Sequence, residues 1–173
     1  VNETFDTIIS SHNLEHQPNL IRHLNEASSL LNTRGSYKMV VPDCAYCFDA
    51  NLPPSKISDI ILANSEKITS PSVAKVIENI ALRTHNESTR HWEDYFNGLK
   101  QYNLIDVTKV SSAIEHFKKG NGKYLDTHCW QFRPHTLSDI LRSLIELKMI
   151  KFKSVSCYGS VYGRIEFCIE LFK

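Results

Sequence analysis

The chain of 173 residues has only six glycines, mostly at expected turns, and it lacks a glycine-rich loop that would let its backbone approach a bound nucleotide. It also lacks any apolar run near the roughly 20 residues needed to cross a bilayer. Neither sign of charge is in excess, since the formal net charge is +1. We therefore expect neither a nucleic acid nor a membrane as a partner.

Cysteine is present, but not in the pattern of a disulfide framework. The five cysteines are odd in number and scattered, which favours a reducing, cytoplasmic location. Cys44 and Cys47 form a single C-x-x-C without a second pair, so we interpret them as a turn after a strand rather than a zinc or redox site. With 42% hydrophobic and 23% charged residues, the composition is that of an ordinary globular domain.

The first forty or so residues predict a strand, a helix and a second strand. Phe5–Ser10 is apolar and β-rich with little alternation, which is typical of a strand covered on both faces. Pro18 suits the first turn of a helix whose apolar stripe reaches Leu31, and Gly35 suits a left-handed cap. The apolar run Ser36–Val41 follows, so the short connections predict a parallel βαβ unit.

The middle of the chain, residues 44–122, predicts several helices. Ser70 and Pro71 suit the N-cap and first position of one of them, and Gly120–Gly122 breaks the last. About eighty residues of helix between two sheet segments indicate an insertion, or lid, that covers one end of the sheet.

The end of the chain returns to an α/β pattern. Thr136 suits the N-cap of an amphipathic helix, and two strands around the loop Gly159–Gly163 must be antiparallel because they are so close in sequence. The chain is therefore divided into an α/β core, residues 1–43 and 123–173, and the helical insertion, residues 44–122.

Two stretches of the chain hold motifs that occur together in one known family. The first contains, in order, Phe5-Asp6, Glu15-His16, Leu30-Leu31, Gly35 and Val41-Pro42. The second, residues 126–141, contains an H-x-W-x-F-x-P motif before a helix. In order and spacing the first stretch resembles class I S-adenosylmethionine-dependent methyltransferases, and the second resembles the entry to the last helix in a subgroup often associated with bacterial glycan genes. The resemblance implies a partial Rossmann-like methyltransferase sheet with a C-terminal antiparallel hairpin.

The chain departs from that family in the cofactor-binding part. The family holds S-adenosylmethionine with a glycine-rich loop after the first strand and an acidic residue after the second, and both would lie before Val1. The resemblance thus implies the substrate-side portion of a methyltransferase acting on a small molecule or glycan precursor. S-adenosylmethionine would bind only to a full-length parent, and the fragment would be inactive. The alternative is a degenerate methyltransferase-like module that binds or scaffolds a partner.

The polar corner after the first strand holds the first candidate site residues. By the resemblance, the backbone of Ser11, His12 and Asn13 faces the methionine part of the cofactor, at the carboxyl end of a strand where open α/β sheets bind ligands. His16 is a candidate catalytic base for a hydroxyl nucleophile, because its ordinary pKa is near neutrality. Packing at the helix start is the other interpretation of His16.

His12, Glu15 and His16 also match the H-x-x-E-H signature of a class of zinc peptidases. That signature must lie inside a helix so that residues four apart share a face, whereas Pro18 predicts a helix that starts after it. We therefore do not expect peptidase chemistry and assign no metal ligand. The residues alone leave open whether a divalent ion binds at this corner.

A second group of candidates lies far along the chain. His128, Trp130 and Phe132 alternate, so an extended backbone would point them into one pocket. His128 is a second candidate catalytic residue and Trp130 a candidate wall for a sugar or ring. The alternative is a hydrophobic plug between the insertion and the sheet. His91 and Trp92, within the insertion, are further candidate substrate-binding residues.

The resemblance also has a consequence for assembly. The strand at Phe5–Ser10 would lack a neighbour on one side, and it has no lysine, proline or bulge signal to protect an open edge. We therefore expect a second copy to cover this edge in a two-fold homodimer, or otherwise the chain's own N-terminus or insertion.

Overall fold

The computed structural model describes residues 3–97 and 105–173, which form an α/β fold with a four-stranded mixed sheet and six α-helices. The strands are β1 (Phe5–Ser11), β2 (Leu31–Pro42), β3 (Ser154–Tyr158) and β4 (Glu166–Phe172). The helices are α1 (Leu20–Ser29), α2 (Ile57–Ser65), α3 (Val73–Ala81), α4 (Ser88–Phe96), α5 (Val107–Gly120) and α6 (Pro134–Glu146). None of the described helices has the length and apolar character to cross a membrane.

The sheet has the order β1-β2-β4-β3. β1 and β2 are parallel, as the strand–helix–strand pattern predicts, and β4 is antiparallel to both β2 and β3. The predicted C-terminal hairpin is therefore confirmed, and its second strand inserts between β2 and β3. Alternate residues of β4, Phe167, Ile169 and Leu171, reach the core, as the period of a strand requires.

The core forms where the predicted apolar stripes of α1 and α6 meet the sheet. α1 packs on β2 and α2, while α6 packs on β3 and β4. Burial of these stripes, at roughly 25 cal/mol per Å² of apolar surface, is the main stabilising contribution to the fold. The buried stripe residues are Leu20, Ile21, Leu24 and Ala27 of α1 and Leu137, Ile140, Leu141 and Leu144 of α6.

Three predicted helix starts are wrong by a few positions. In α1 and α3 a polar side chain other than the predicted residue satisfies a free N–H group, whereas α6 begins before the predicted Thr136. Asn19 caps α1, because its side chain accepts a hydrogen bond from the Arg22 N–H at 3.0 Å. Pro18 therefore precedes the helix. Ser72 caps α3 in the same way, and Ser70-Pro71 lies outside it. Thr136 stands at the third position of α6, where its hydroxyl accepts from the N-cap N–H at 3.2 Å.

Gly35 is not a left-handed helix cap but lies within β2, so that prediction is wrong. The register of β1 on β2 shifts between Phe5 and Thr7, which leaves extra residues of β2 in a bulge. A Cβ on Gly35 would lie 3.1 Å from the carbonyl oxygens of Phe5 and Asp6. Glycine is needed here because the backbone of β1 approaches so closely.

The prediction that β1 is covered on both faces is also wrong. Ile8 packs against the core, but alternate residues point away from it, and Ile9 is 74% exposed. Among the described residues, β1 pairs with β2 alone, so no strand of the described insertion or N-terminal residues pairs with its outer edge. An unpaired, half-apolar edge is a template for pairing with another chain.

We expect this edge to pair with its copy in a homodimer, and Ile9→Lys to raise the dimer dissociation constant at least about tenfold, a change of about 1.4 kcal/mol. The lysine would add like charges near the two-fold axis of the joined strands. Light scattering coupled to size exclusion at micromolar concentrations measures the change. Val161→Lys, at a similarly exposed position outside the strand, is the control. A wild-type monomer at tens of micromolar contradicts the prediction.

The insertion between β2 and α6 contains α2, α3, α4 and α5, so its mainly helical character is confirmed for the described residues. Residues 98–104, also predicted helical in part, lie outside them. Asn121 is left-handed and Gly122 has φ 76°, which confirms the break after α5.

The two ends of the insertion lie side by side. Asp43 and Phe132 form a parallel bridge, and the Cys44 N–H donates to the Phe132 carbonyl at 2.8 Å. Further out, the Ser55 N–H donates to the Gln131 carbonyl at 2.8 Å. We call residues 43–55 and 126–132 the neck; their backbones meet where Asp43, Cys44 and Ser55 contact Gln131 and Phe132.

Candidate functional site

The chain turns sharply where β1 ends. His12 has φ 48°, a left-handed conformation that histidine adopts more readily than most residues, and its N–H still donates to the Val40 carbonyl at 3.0 Å. A single 3-10 turn, Leu14–His16, follows. Leu14, the apolar residue of this turn, is buried in the core. The neighbouring Glu15 is therefore inside the protein as well, at 1% exposure.

The outgoing side of the neck docks on this turn. The N–H groups of Cys129 and Trp130 both donate to the Glu15 carbonyl, at 2.7 and 3.2 Å. The Trp130 indole N–H donates to the Gln17 carbonyl at 2.6 Å. These backbone contacts bring His128 beside His16, with ring centroids 4.7 Å apart and the rings nearly perpendicular.

Three histidines surround the buried carboxylate. Glu15 Oε1 lies 3.6 Å from His16 Nε2, 3.7 Å from His12 Nδ1 and 4.0 Å from His128 Nε2. We call these four residues the histidine cluster. Neither carboxylate oxygen of Glu15 has a hydrogen-bond partner among the described residues. A buried carboxylate in this state is costly unless a positive charge compensates it.

The other ring nitrogen of each histidine faces an outer carboxylate. His128 Nδ1 is hydrogen-bonded to Asp49 Oδ2 at 2.7 Å, and both side chains are buried. His16 Nδ1 lies 2.8 Å from the exposed carboxylate of Asp126, at ion-pair distance without an aligned hydrogen bond. His12 Nε2 lies 3.5 Å from Glu166. Asp49 thus favours the His128 tautomer with its proton on Nδ1, which leaves Nε2 free toward Glu15.

This arrangement supports two kinds of chemistry. An imidazole whose tautomer is fixed by a carboxylate can accept a proton from a hydroxyl group. The three inward ligand atoms of Glu15, His16 and His128 also lie within 4.8 Å of one another, close enough to share a metal ion.

The structure brings the two candidate catalytic residues, His16 and His128, together at one site. The candidate cofactor residues adjoin it: Ser11 is exposed at the end of β1, and the Asn13 side chain accepts from Gln17 Nε2 at 3.2 Å. Trp130 is only 5% exposed. Its burial and its hydrogen bond to backbone favour the interpretation of Trp130 as a plug.

His91 and Trp92 are buried in a different cluster. Trp92 stacks on Tyr46 with centroids 3.6 Å apart, and its indole N–H donates to the Arg164 carbonyl at 2.8 Å. His91 Nε2 is hydrogen-bonded to the His85 carbonyl at 2.8 Å. These contacts hold α4 against the β3–β4 connection, and a substrate-binding role for either residue stays a prediction.

Asp43, at the entrance of the neck, joins three parts of the chain. Its carboxylate accepts from the Ser160 hydroxyl at 2.8 Å and from the Ala45 N–H at 3.1 Å, and it lies 3.2 Å from Arg133 Nε. Asp43 is 1% exposed and Arg133 is mostly buried, so this ion pair is largely shielded from water. It fixes the hairpin loop and the start of α6 relative to the end of β2.

The C-x-x-C cysteines do not form a disulfide, and all five cysteines are free. Burial, reinforced by nearby Asp43 and Asp49, raises the pKa of the Cys44 thiol. Burial likewise raises the pKa of Cys47, and it raises the pKa of Cys129 to about 12. Burial therefore disfavours the thiolate form that nucleophilic attack requires.

No protein-family model, curated protein or solved structure matches this chain. Sequence reasoning noted Glu15 in the corner but missed the three outer carboxylates, Asp49, Asp126 and Glu166. Two of them flank motifs that were noticed, the C-x-x-C and the alternating His128 segment, but no local pattern shows that they face a histidine.

Proposed function

We propose that this chain is the substrate-side portion of an S-adenosylmethionine-dependent methyltransferase that acts on a small molecule or glycan precursor. The observation that carries the proposal is the sheet. A parallel pair, β1 and β2, is followed by a C-terminal antiparallel hairpin, which is the arrangement that the sequence resemblance implies.

The position of the histidine cluster supports the same proposal. Ligands of open α/β sheets bind beyond the carboxyl ends of parallel strands, and the cluster begins one residue after β1 ends. A lid-like insertion leaves the sheet at the adjacent end of β2. The site therefore lies where a methyl acceptor would meet a cofactor bound on the same edge.

S-adenosylmethionine supplies the methyl group when it is bound, but the described residues fit this cofactor only in part. Ser11, His12 and Asn13 offer backbone groups at the right edge, whereas the sequence has no glycine-rich loop for close backbone approach. The proposal therefore requires a glycine-rich loop and a ribose-binding carboxylate that are not among these residues. The five free cysteines agree with a reducing cytoplasm for such an enzyme.

The role we assign to this chain is to orient the acceptor and hold its proton. His128 is the stronger candidate base, because Asp49 fixes its tautomer and Nε2 is free to accept a hydroxyl proton. His16 lies beside it and faces the same carboxylate. The other ring nitrogen of His16 lies 2.8 Å from Asp126, so a proton on His16 could pass outward to that carboxylate.

Isothermal titration and a labelled methyl-transfer assay on the natural gene product test the proposal. The gene product is expected to bind S-adenosylmethionine, while the 173-residue chain alone shows no dissociation constant in the low micromolar range. His128→Asn is expected to lower kcat by about 10²- to 10⁴-fold with cofactor affinity unchanged. His116→Asn, on the exposed side of α5, is the control.

A low micromolar affinity of the chain alone, or an unchanged kcat in His128→Asn, contradicts the assignment. If the gene product binds no cofactor, the chain is instead a degenerate module that binds or scaffolds a partner.

A further inference from the structure

The histidine cluster has the geometry of a metal site, with an acidic residue at its centre that lacks any other partner. Glu15 is 1% exposed, and neither of its carboxylate oxygens is hydrogen-bonded within the described chain. Two imidazole Nε2 atoms, those of His16 and His128, face it. A cation at the centre would satisfy the carboxylate and both nitrogens at once.

The distances are those of ligands around an ion rather than of hydrogen bonds. Hydrogen bonds join heavy atoms at about 2.7–3.2 Å, but Glu15 Oε1 lies 3.6 Å from His16 Nε2 and 4.0 Å from His128 Nε2. Ligand atoms bound at about 2.0–2.2 Å in a tetrahedron lie about 3.4 Å apart. Small side-chain rotations would bring the three ligand atoms to that spacing.

The outer carboxylates complete the resemblance to a metal site. Histidines that bind metals almost always donate their second N–H to a carboxylate or carbonyl, which fixes the tautomer and raises the basicity of the ligand atom. Here Asp49 makes such a hydrogen bond with His128 Nδ1 at 2.7 Å, while Asp126 lies 2.8 Å from His16 Nδ1 without an aligned hydrogen bond. Both side chains of the Asp49 contact are buried, and the contact orients His128 toward Glu15.

We propose that Glu15, His16 and His128 bind one divalent transition-metal ion, with zinc preferred, and leave an open coordination position. Two imidazoles and one carboxylate suit zinc better than magnesium or calcium, which prefer all-oxygen sites. The partly exposed His12 stands on the open side, where a water or a hydroxyl or carboxylate oxygen of a small molecule would coordinate.

This inference does not depend on methyl transfer. A bound ion would occupy the same Nε2 of His128 that otherwise accepts a proton. The ion would serve an acceptor hydroxyl differently, by lowering the pKa of the coordinated oxygen. Metal binding is measured without any methyl donor, so its failure and the failure of the proposed enzyme activity are separate results.

The test uses the tag-free chain, stripped of metal with a chelator and then titrated calorimetrically with zinc. We expect one ion per chain by metal analysis, a rise in Tm that the chelator reverses, and no rise with magnesium at the same concentration. Cobalt substitution should give the visible absorption of a low-coordinate nitrogen and oxygen site. No bound zinc, or more than one site of equal affinity, overturns the proposal.

Matched variants locate the ion. Glu15→Gln and His128→Asn are expected to lower zinc affinity by more than about 100-fold, and Asp49→Asn by the 10- to 100-fold typical of outer partners. Glu115→Gln and His116→Asn, both on the exposed surface of α5, should bind zinc as the wild type does.

Zinc held by cysteine thiolates is distinguished from zinc in the histidine cluster by two results. Cys44→Ala/Cys47→Ala should retain zinc, and loss of the ion in that variant would move the site to the C-x-x-C and overturn the proposal. If a cluster variant does not fold, X-ray absorption of the zinc-loaded wild type decides. Nitrogen and oxygen neighbours with two imidazoles support the site, and sulfur neighbours overturn it.

Discussion

Replacing Trp130 with alanine is expected to lower the free energy of unfolding by about 3–5 kcal/mol, the range for truncating a large buried aromatic residue. Trp130 is 5% exposed and belongs to the main core, and its indole N–H donates to the Gln17 carbonyl. The alanine variant loses the packing and leaves that carbonyl without its partner. Urea denaturation measures the loss.

Two further variants separate the parts of this effect. Trp130→Phe keeps most of the packing and removes the N–H, so we expect a loss of about 1–3 kcal/mol. Tyr158→Ala, at an exposed aromatic residue of β3, should change stability by no more than about 0.5 kcal/mol. If Trp130→Ala leaves the chain stable, and the same substitution raises the KM for the acceptor of the proposed methyltransferase, Trp130 is instead a wall of the substrate site.

Asp43→Ala is expected to lower the free energy of unfolding by about 3–5 kcal/mol, because it leaves Arg133 mostly buried without its counter-charge. It also removes the acceptor of the Ser160 hydroxyl and the Ala45 N–H. Asp139→Ala is the matched control, since its pair with Arg142 is exposed and such pairs contribute about 0–1 kcal/mol.

The double variant Asp43→Ala/Arg133→Met tests whether the unpaired charge of Arg133 causes the loss of stability. Removing both charges eliminates the unpaired guanidinium, so this variant should be more stable than Asp43→Ala alone. If it is less stable, the loss in Asp43→Ala comes from the hydroxyl and backbone contacts rather than from the charge.

The elements of the α/β core were predictable because their signals are local. The stripe that includes Leu24 in α1 and Leu141 in α6 repeats with the helical period, and both residues are fully buried. The hairpin followed from the short distance between two β-rich runs. Long-range packing decides that β4 pairs with β2 as well as with β3. No sequence pattern within the hairpin indicates this pairing.

The errors at Gly35 and at the helix starts have one kind of cause. Gly35 was interpreted from its own backbone freedom, but it is required by the approach of Phe5 and Asp6 from another strand. The helix starts were likewise chosen from local preference, for Pro18, Ser70 and Thr136, whereas the observed N-caps are Asn19, Ser72 and Arg133.

The candidate site was half predictable. His16 and His128 were chosen separately as residues able to transfer protons, and their meeting was not expected from either segment. It depends on the Glu15 carbonyl, which accepts two backbone N–H groups from the outgoing side of the neck. Every residue has a backbone carbonyl group, so the amino-acid sequence does not indicate which one accepts these hydrogen bonds. This contact therefore could not be predicted.

The neck also bears on how such a protein can change during evolution. Asp49 and His128, which the proposed site needs, lie on its two segments, and helices α3, α4 and α5 lie beyond them. Once the ends of a loop are pinned, doubling its length costs only about 0.6 kcal/mol in closure entropy. Descendants could therefore lengthen, shorten or replace these outer helices, and so change which molecule reaches the proposed site, while keeping the residues that form it.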